Sequence, residues 1–313
     1  MCTTCGCSNT QSAAVTDLDE AVAGGAQSRS ESGSAGSAAT VYRRVGEHTR
    51  AGVGGHSHAH SHSHSHSHSQ RDDREHEHGD VQHHHHEHDH YHEHSTSIDL
   101  ERDILAKNQL LAERNRGWLA GRSILALNLM SSPGAGKTTL LERTIRDLGN
   151  AFPLTVIEGD QATLNDAERI RATGARVVQI NTGTGCHLDA EMASRALTQL
   201  DPPLHSVVMI ENVGNLVCPA LFDLGEAAKV LILSVTEGED KPIKYPHMFR
   251  ACSLLLLNKI DLLPHLRFDV ERCIGYAKRV NPQLEIFQVS AQSGEGMDGW
   301  YGWLRTRATL IHA

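Results

Sequence analysis

A glycine-bearing loop that ends in Gly-Lys-Thr follows directly after an apolar run in the segment LALNLMSSPGAGKTT. This composition is typical of a buried strand that meets a phosphate-binding turn. Lys137 in such a loop reaches the β and γ phosphates, and the Thr138 hydroxyl ligates Mg²⁺. Backbone N–H groups and the positive end of the next helix complete the anion site. The predicted phosphate-binding residues are Gly134, Ala135, Gly136, Lys137, Thr138 and Thr139.

A second motif, Asn-Lys-Ile-Asp at residues 258–261, also follows an apolar run and predicts which base is bound. The Asp261 carboxylate can accept hydrogen bonds from guanine N1–H and the exocyclic amino group, whereas adenine has no such donor pair. Asn258, Lys259 and Asp261 are therefore predicted to bind guanine, with Ser290 and Ala291 in a loop over the base. Each motif alone has an ordinary alternative, a glycine-rich turn or a surface loop, but the ordered pair favours a GTP site.

Two acidic residues end predicted strands near the phosphate loop: Asp160 in VIEGDQAT and Glu211 in VVMIENVGN. Each can hold Mg²⁺ or position the water that attacks the γ phosphate, and the sequence leaves the division of these roles open. With Lys137 they are the predicted catalytic residues, and with Thr138 the predicted Mg²⁺ ligands. The Glu-x-x-Gly spacing that ends at Gly214 is typical of a switch that senses the γ phosphate. Alternatively, each acid caps the helix after its strand.

A thiol and imidazole pair, Cys186 and His187, follows a glycine-rich loop, and Cys218 lies four residues after the switch glycine. These side chains are ligands for Zn²⁺ or Ni²⁺ and poor partners for Mg²⁺. They can converge if their strand ends are neighbours, and a symmetric dimer would complete the coordination of the metal. The alternative is two small buried cysteines and a histidine that caps a helix. Cys252 and Cys273 lie in apolar contexts and are interpreted as packing residues.

The N-terminal region is rich in further metal-ligating side chains. Cys2, Cys5 and Cys7 form a Cys-x-x-Cys-x-Cys cluster, which can give Ni²⁺ a square-planar S/N environment. A degraded redox motif or a zinc knuckle without partners is the alternative. Residues 56–94 hold 17 of the 23 histidines, so we expect this tract to bind and store divalent ions rather than act as a solvated spacer.

Length and charge limit the functions and the domain organisation that this chain can have. The chain has 313 residues and a formal net charge of −9, which argues against a nucleic-acid binder. No segment approaches the roughly 18 apolar residues of a membrane span, and the start lacks a signal sequence, so a cytoplasmic protein with reduced cysteines is predicted. We predict the cysteine motif at 1–7, a disordered linker at 8–55, the histidine tract at 56–94 and the folded domain at 97–313.

Alternating strand and helix patterns after residue 97 predict an α/β fold, a mostly parallel sheet with helices on both faces. An amphipathic helix that leads to Gly121 is expected to precede it, on the spacing of six apolar residues: Ile98, Leu100, Ile104, Leu105, Leu110 and Leu111. The predicted strands are 124–130, 153–158, 176–180, 206–211, 229–235, 252–257 and 284–289. The predicted helices include 137–148, 162–173, 187–199, 267–280 and 296–309.

The ordered motifs resemble the HypB family of hydrogenase nickel-incorporation GTPases, over the terminal cysteines and residues 98–313. They are MCTTCGC, SSPGAGKTT, EGDQAT, GTGCHLDA, ENVGNLVCP, EGEDKP, NKIDLLP and VSAQSGEG, together with the histidine tract. By position, the resemblance assigns nucleotide, magnesium and nickel or zinc binding to the residues already named. Ser131 departs from the general P-loop template, because it stands where the first glycine of G-x-x-x-x-G-K-T is expected, and this leaves the turn geometry open.

The resemblance implies a SIMIBI-class P-loop GTPase with slow regulatory turnover that uses GTP/GDP, Mg²⁺, Ni²⁺ and Zn²⁺. It further implies a GTP-dependent homodimer that passes nickel to the hydrogenase large-subunit precursor, with a HypA-type zinc and nickel accessory protein and a SlyD-type nickel-binding protein as partners. A urease-type nickel GTPase and a metal storage buffer are the alternatives. Leu262 and Leu266 either form a dimer patch or pack against their own domain.

Overall fold

The computed structural model describes residues 14–17, 92–161 and 165–312. Its strands are β1 (Ala14–Asp17), β2 (Leu125–Ser131), β3 (Leu154–Asp160), β4 (Arg176–Asn181), β5 (Val207–Glu211), β6 (Ala228–Ser234), β7 (Leu254–Asn258) and β8 (Glu285–Gln288). They form one sheet in the order β1-β4-β3-β5-β2-β6-β7-β8. Strands β2 to β8 pair in parallel, and β1 pairs antiparallel with β4. The prediction of a mostly parallel sheet is confirmed.

Helices cover both faces of this sheet. They are α1 (His92–Gly121), α2 (Lys137–Leu148), α3 (Asn165–Arg171), α4 (Ala190–Leu200), α5 (Cys218–Leu221), α6 (Lys241–Lys244), α7 (Pro246–Ala251), α8 (Val270–Val280) and α9 (Met297–His312), with a 3-10 helix at Ile260–His265. Leu140 and Trp300 pack on one face, whereas Leu197 and Phe249 pack on the other. Covered faces explain why the central strands are continuous apolar runs. No helix within the described ranges is long and apolar enough to cross a membrane.

Helix boundaries differ from the predicted ones where a side chain caps the first turn. Helix α4 begins at Ala190 rather than 187, because the Asp189 carboxylate accepts a hydrogen bond from the Met192 N–H. Helix α8 likewise begins at Val270, after the cap Asp269. The short helices α5, α6 and α7 are not in the prediction, since four to six residues carry too little periodicity.

Helix α1 is present, but the apolar residues that predict it do not form its buried face. Its exposed large side chains include Leu100, Ile104, Leu105 and Leu110. Among its side chains whose burial the structure describes, Asn108, Ala112, Asn115 and Leu119 are buried. Two of these are amides, and they can be buried because they bond backbone groups: Asn115 Nδ2 donates to the carbonyl oxygens of Ala190 and Leu224.

Strand β1 lies inside the segment predicted as a linker. Residues Ala14–Asp17 pair with Val178–Asn181 of β4 and so extend the sheet by one antiparallel edge strand. The Val15 side chain packs against the core that α4 covers. Within residues 8–55 the structure describes these four residues, and the rest of that prediction lies outside the described residues, as does the predicted cysteine motif.

Candidate functional site

The phosphate loop links β2 to α2, and Ser131 stands at its first position. Ser131 is the last residue of β2, and its Oγ accepts a hydrogen bond from Lys137 Nζ at 2.9 Å. Gly134 and Gly136 adopt φ angles of +74° and +95°, a region that disfavours residues with a Cβ. The glycines therefore permit the turn, and Ser131 holds the lysine beside it.

The Asn258–Asp261 motif braces this loop from the neighbouring strand end. Asn258 Nδ2 donates to the Ala135 carbonyl at 2.9 Å, and Lys259 Nζ donates to the Gly134 carbonyl at 2.6 Å. A Cβ on Gly136 would lie 2.7 Å from Asn258 Nδ2, so only glycine allows this approach. The two sequence motifs thus form one connected structure at the carboxyl edge of the sheet.

Four of the five predicted base-binding residues, all except Ser290, line a cavity of about 230 Å³ beside the phosphate loop. The backbone N–H of Ala291 donates to Asn258 Oδ1 at 3.1 Å, and the Ser290 hydroxyl donates to Asp261 Oδ1 at 2.5 Å. The Asp261 carboxylate is therefore oriented by the loop that follows β8. This arrangement suits a carboxylate that accepts hydrogen bonds from a planar base.

The phosphate-side cavity has a volume of about 510 Å³ and contains both predicted acids. Glu211 is buried, and its Oε1 accepts a hydrogen bond from the Thr138 hydroxyl at 2.9 Å. Burial raises the pKa of Glu211, although Lys137 and the Thr138 bond oppose this shift. Asp160 ends β3 in a half-buried position, where its Oδ1 accepts from the Gln161 N–H at 2.7 Å.

A third carboxylate, Glu158, is absent from the predicted set. It faces Glu211 across the β3–β5 pairing and lines the same cavity. Burial, together with the nearby Glu211 and Asp160, raises the pKa of Glu158 to about 9. A charged residue inside an otherwise apolar strand is the sequence signal that could have identified it. Arg169 also lines this cavity and donates to the Thr139 hydroxyl at 3.2 Å, which the sequence pattern did not indicate.

The cavity fits a divalent cation. Glu158 Oε2 and Glu211 Oε2 are both buried, and neither has a hydrogen-bond partner among the described residues. Buried carboxylate oxygens without partners are costly, and oxygen ligands of this kind are those that Mg²⁺ prefers. The Thr138 hydroxyl adds a further oxygen beside Glu211.

The predicted soft-metal residues come together at the same edge of the sheet. Ligand atoms of Cys186, His187 and Cys218 all lie within 4.8 Å of one another, and Cys186 Sγ is 3.6 Å from His187 Nδ1. Cys218 is the first residue of α5 and is buried. Two thiols and an imidazole at this spacing can bind one Ni²⁺ or Zn²⁺ ion, with further positions left open.

This convergence does not require neighbouring strand ends, because β3 lies between β4 and β5 in the sheet. The loop after β4 crosses over β3 at Gly159, where a Cβ would lie 2.9 Å from three side-chain atoms of Leu188. The Leu188 N–H then donates to Asn212 Oδ1 at 3.1 Å in the segment after β5. Gly159 therefore makes room for the crossing that brings His187 towards Cys218.

Burial and an aromatic neighbour define the environment of His187. Burial lowers its pKa, although nearby Asp189 opposes this shift. Its ring stacks on Phe222 with a centroid distance of 3.9 Å. Because Asp189 provides the helix cap, the alternative that His187 caps α4 has no support in this geometry. A neutral imidazole is the form that coordinates a metal.

The remaining predicted residues lie elsewhere. Cys252 and Cys273 are buried in the core, as the packing interpretation predicts. Leu262 packs partly against the same core, while Leu266 is 39% exposed. Cys2, Cys5 and Cys7 and most of the histidine tract lie outside the described residues.

Comparison with known proteins identifies the family of this chain. Residues 125–288 match the family model described as CobW/HypB/UreG, nucleotide-binding domain. The hydrogenase maturation factor HypB of Escherichia coli (strain K12) is 61% identical over 210 residues, which are 67% of this chain and 72% of that protein. The crystal structure of hydrogenase maturation factor HypB from Archaeoglobus fulgidus is 40% identical with a TM-score of 0.61, and the match covers 65% of this chain and 99% of that one.

A second solved structure with a similar fold was determined with nickel. HypB from Helicobacter pylori, solved in complex with nickel, is 35% identical with a TM-score of 0.61. The match covers 65% of this chain and 95% of that chain. Both solved relatives share the parallel sheet and helical layers described above.

Proposed function

The chain belongs to the CobW/HypB/UreG family, and from this premise we propose that it is a GTPase of hydrogenase maturation that binds nickel and releases it according to its nucleotide. The single observation that carries the metal part is the convergence of Cys186, His187 and Cys218 next to the γ-phosphate switch. The nickel complex of the Helicobacter pylori relative supports nickel as the cargo. The SIMIBI class of P-loop GTPases accounts for the fold.

Hydrolysis is assigned to the phosphate-side cavity. Lys137 leaves Ser131 and neutralises the β and γ phosphates, which helix α2 meets with its positive end. Asp160, at the half-buried mouth, orients the attacking water, because Glu211 is already committed to the Thr138 hydroxyl. The Asp261 carboxylate selects guanine over adenine.

Thr138, Glu211 and Asp160 are the residues that would hold Mg²⁺, with Glu158 behind them. The buried oxygens of Glu158 and Glu211 without partners support this assignment. The cation would supply Lewis-acid charge neutralisation to the phosphates. When Glu158 is protonated or bound to the cation, the sheet contains no uncompensated charge at this position.

Nickel is the cargo of the sulfur and imidazole site. Thiolate and neutral imidazole ligands suit Ni²⁺ and also Zn²⁺, so the site can hold either ion. One segment, residues 211–218, carries both Glu211 and Cys218, so a rearrangement after phosphate loss acts directly on a metal ligand. Slow hydrolysis of GTP would set how long the protein stays in one nucleotide state, and so when nickel is released.

The N-terminal motifs and the partners complete the proposal. Cys2, Cys5 and Cys7 and the tract 56–94 would store Ni²⁺ for the internal site. The recipient would be the hydrogenase large-subunit precursor, with a HypA-type accessory protein and a SlyD-type nickel-binding protein as sources or escorts. A GTP-dependent homodimer would join two internal sites and complete their coordination.

The test is a nickel titration of the full chain with GDP and with a nonhydrolysable GTP analogue. We expect the thiolate-to-nickel absorption band to show different affinities in the two nucleotide states. Cys218→Ala should remove the internal component and leave guanine nucleotide affinity nearly unchanged, whereas Cys273→Ala is the matched control for loss of a buried thiol. Nickel affinity that is identical in both nucleotide states would contradict the proposal.

A storage buffer remains a separate function for the same residues. Deleting residues 56–91, which leaves β1 and α1 in place, distinguishes the two, since a buffer loses most of its capacity and a delivery GTPase still supports hydrogenase maturation when nickel is plentiful. A urease-type delivery role differs in recipient only, and the Cys-x-x-Cys-x-Cys motif with the Gly-Cys-His-Leu order favours hydrogenase.

A further inference from the structure

Asn212 occupies the junction between the nucleotide cavity and the metal-ligating loops. It follows Glu211 directly, lines the phosphate-side cavity and is 1% exposed. Its backbone N–H donates to the Leu129 carbonyl at 3.0 Å, which anchors this residue to β2. The side chain therefore acts from a fixed point in the sheet.

The side-chain oxygen of Asn212 is shared between the two functional regions. Oδ1 accepts from the Leu188 N–H at 3.1 Å and from the Val213 N–H at 3.0 Å. Leu188 follows His187, whereas Val213 precedes Gly214, which abuts Pro133 of the phosphate loop. One oxygen atom thus holds the metal-ligating loop and the γ-phosphate switch together.

The side-chain nitrogen extends the connection to the segment that packs against the His187 ring. Asn212 Nδ2 donates to Asn128 Oδ1 at 3.1 Å, and Asn128 Nδ2 donates to Glu226 Oε1 at 3.1 Å. Glu226 Oε2 accepts from the Leu224 N–H at 2.6 Å. Leu224 lies two residues after Phe222, the ring on which His187 stacks.

We propose that Asn212 is the positioning residue that transmits nucleotide state to the Cys186–His187–Cys218 site. When the Gly214 amide turns towards a γ phosphate, the preceding Val213 N–H moves with it and changes its bond to the shared oxygen. The bond from Leu188 to that oxygen changes in response, and the position of His187 shifts relative to Cys218. The inference rests on the proposed function, because it needs a metal at this site.

The chemistry of the side chain explains why this position suits asparagine. The amide offers an oxygen that accepts two N–H groups and a nitrogen that donates to a third partner, in one plane. Alanine removes all three bonds, whereas serine has one short hydroxyl that cannot reach both Leu188 and Asn128. A buried network of this kind is costly when partly satisfied, so it favours discrete arrangements over gradual ones.

The experiment measures the coupling between nucleotide and nickel in the full chain. The experiment uses a background variant with Cys2→Ser, Cys5→Ser and Cys7→Ser, so that only the internal cysteines contribute to the thiolate-to-nickel absorption band. A chelator keeps the concentration of free nickel constant. In this background variant, the nickel dissociation constants measured with GDP and with a nonhydrolysable GTP analogue should differ by about tenfold, a usual size for coupled sites. Asn212→Ala should reduce this ratio to within about twofold of unity.

A matched control separates this effect from the loss of a buried amide in general. Asn281 donates through Nδ2 to the carbonyl oxygens of Phe249 and Cys252 and contacts neither cavity. Asn281→Ala should keep the full ratio. Fluorescent GDP binding and thermal unfolding of each variant check that the nucleotide site and the fold are retained.

The outcomes distinguish this inference from the proposed function. If Asn212→Ala folds and keeps the ratio of nickel dissociation constants seen in the background variant, the role of Asn212 is overturned. The proposed nucleotide-dependent binding of nickel is not affected by that result. A ratio of one in the background protein overturns both proposals. If Asn212→Ala does not fold, Asn212→Ser carries the same expectation and the same refutation.

Discussion

Adding a single methyl group at Gly159 should weaken metal binding without touching any ligand. The new Cβ would lie 2.9 Å from Cγ, Cδ1 and Cδ2 of Leu188, whereas ordinary contacts begin at 3.4 Å. Leu188 must therefore move by at least about 0.5 Å, and because it is fully buried it cannot simply turn into solvent. We expect the backbone of Leu188 to shift as well, and this would move the preceding residue, His187, relative to Cys218.

The magnitude follows from two effects of this overpacking. Forcing a methyl group into a packed core costs about 1 to 3 kcal/mol of stability. Disturbing the groups that orient metal ligands usually lowers affinity by about 10- to 100-fold. We expect Gly159→Ala to show both, while guanine nucleotide affinity changes by less than about threefold, since the base-binding residues lie on β7 and beyond.

The assay compares nickel affinity, fluorescent GDP affinity and urea unfolding for Gly159→Ala and Gly275→Ala. Gly275 lies in α8, and a Cβ built on it meets nothing within 4 Å, so this variant should be neutral or slightly stabilising. A Gly159→Ala protein with wild-type nickel affinity would show that the crossing of the loop over β3 does not set the ligand positions.

Three further predictions concern the nucleotide cavity. Asp261→Asn should weaken GDP binding by at least about tenfold, because hydrogen bonds to a charged acceptor are worth about 1.5 to 3 kcal/mol each, and unchanged affinity by fluorescence titration would exclude this residue as the guanine reader. Gly136→Ala should abolish tight GDP binding, since φ is +95° and the Cβ would displace the Asn258 amide, and calorimetry that detects normal binding would refute this. Burial raises the pKa of Glu158 from 4.5 to about 9 in the folded state, so its contribution to stability is complete below pH 4.5 and is lost as pH rises through 9. The free energy of unfolding should therefore fall by at most about 1.4 kcal/mol per pH unit. Glu158→Gln should reduce this slope when the nucleotide-free protein is unfolded in urea, whereas equal slopes for the two proteins would contradict the assignment.

Strands and motif positions could be predicted because they depend on local patterns. The apolar runs that predict β2 and β7 stop where phosphate and base residues begin, and the parallel sheet brings both ends to one edge. The sequence also indicated Cys186, His187 and Cys218 from ligand chemistry alone. Their mutual distance depends on a loop that crosses β3, which no local pattern reports.

What could not be predicted depends on long-range partners. The buried face of α1 contains Asn108 and Asn115, because backbone groups 75 to 115 residues away satisfy these amides. Periodicity of apolar residues gives no weight to such bonds and so selects the wrong face. Glu158 was missed for a related reason, since its neighbours Glu211 and Lys137 meet it only after the sheet forms.

Strand β1 also changes how the sheet ends on one side. Without Ala14–Asp17, β4 would be the outermost strand and would present a row of N–H and C=O groups to any extended chain that met it. Strand β1 occupies those groups along Val178–Asn181. Because β1 is only four residues long, it offers little length for a further strand to pair with, so association of two molecules through this side of the sheet is disfavoured.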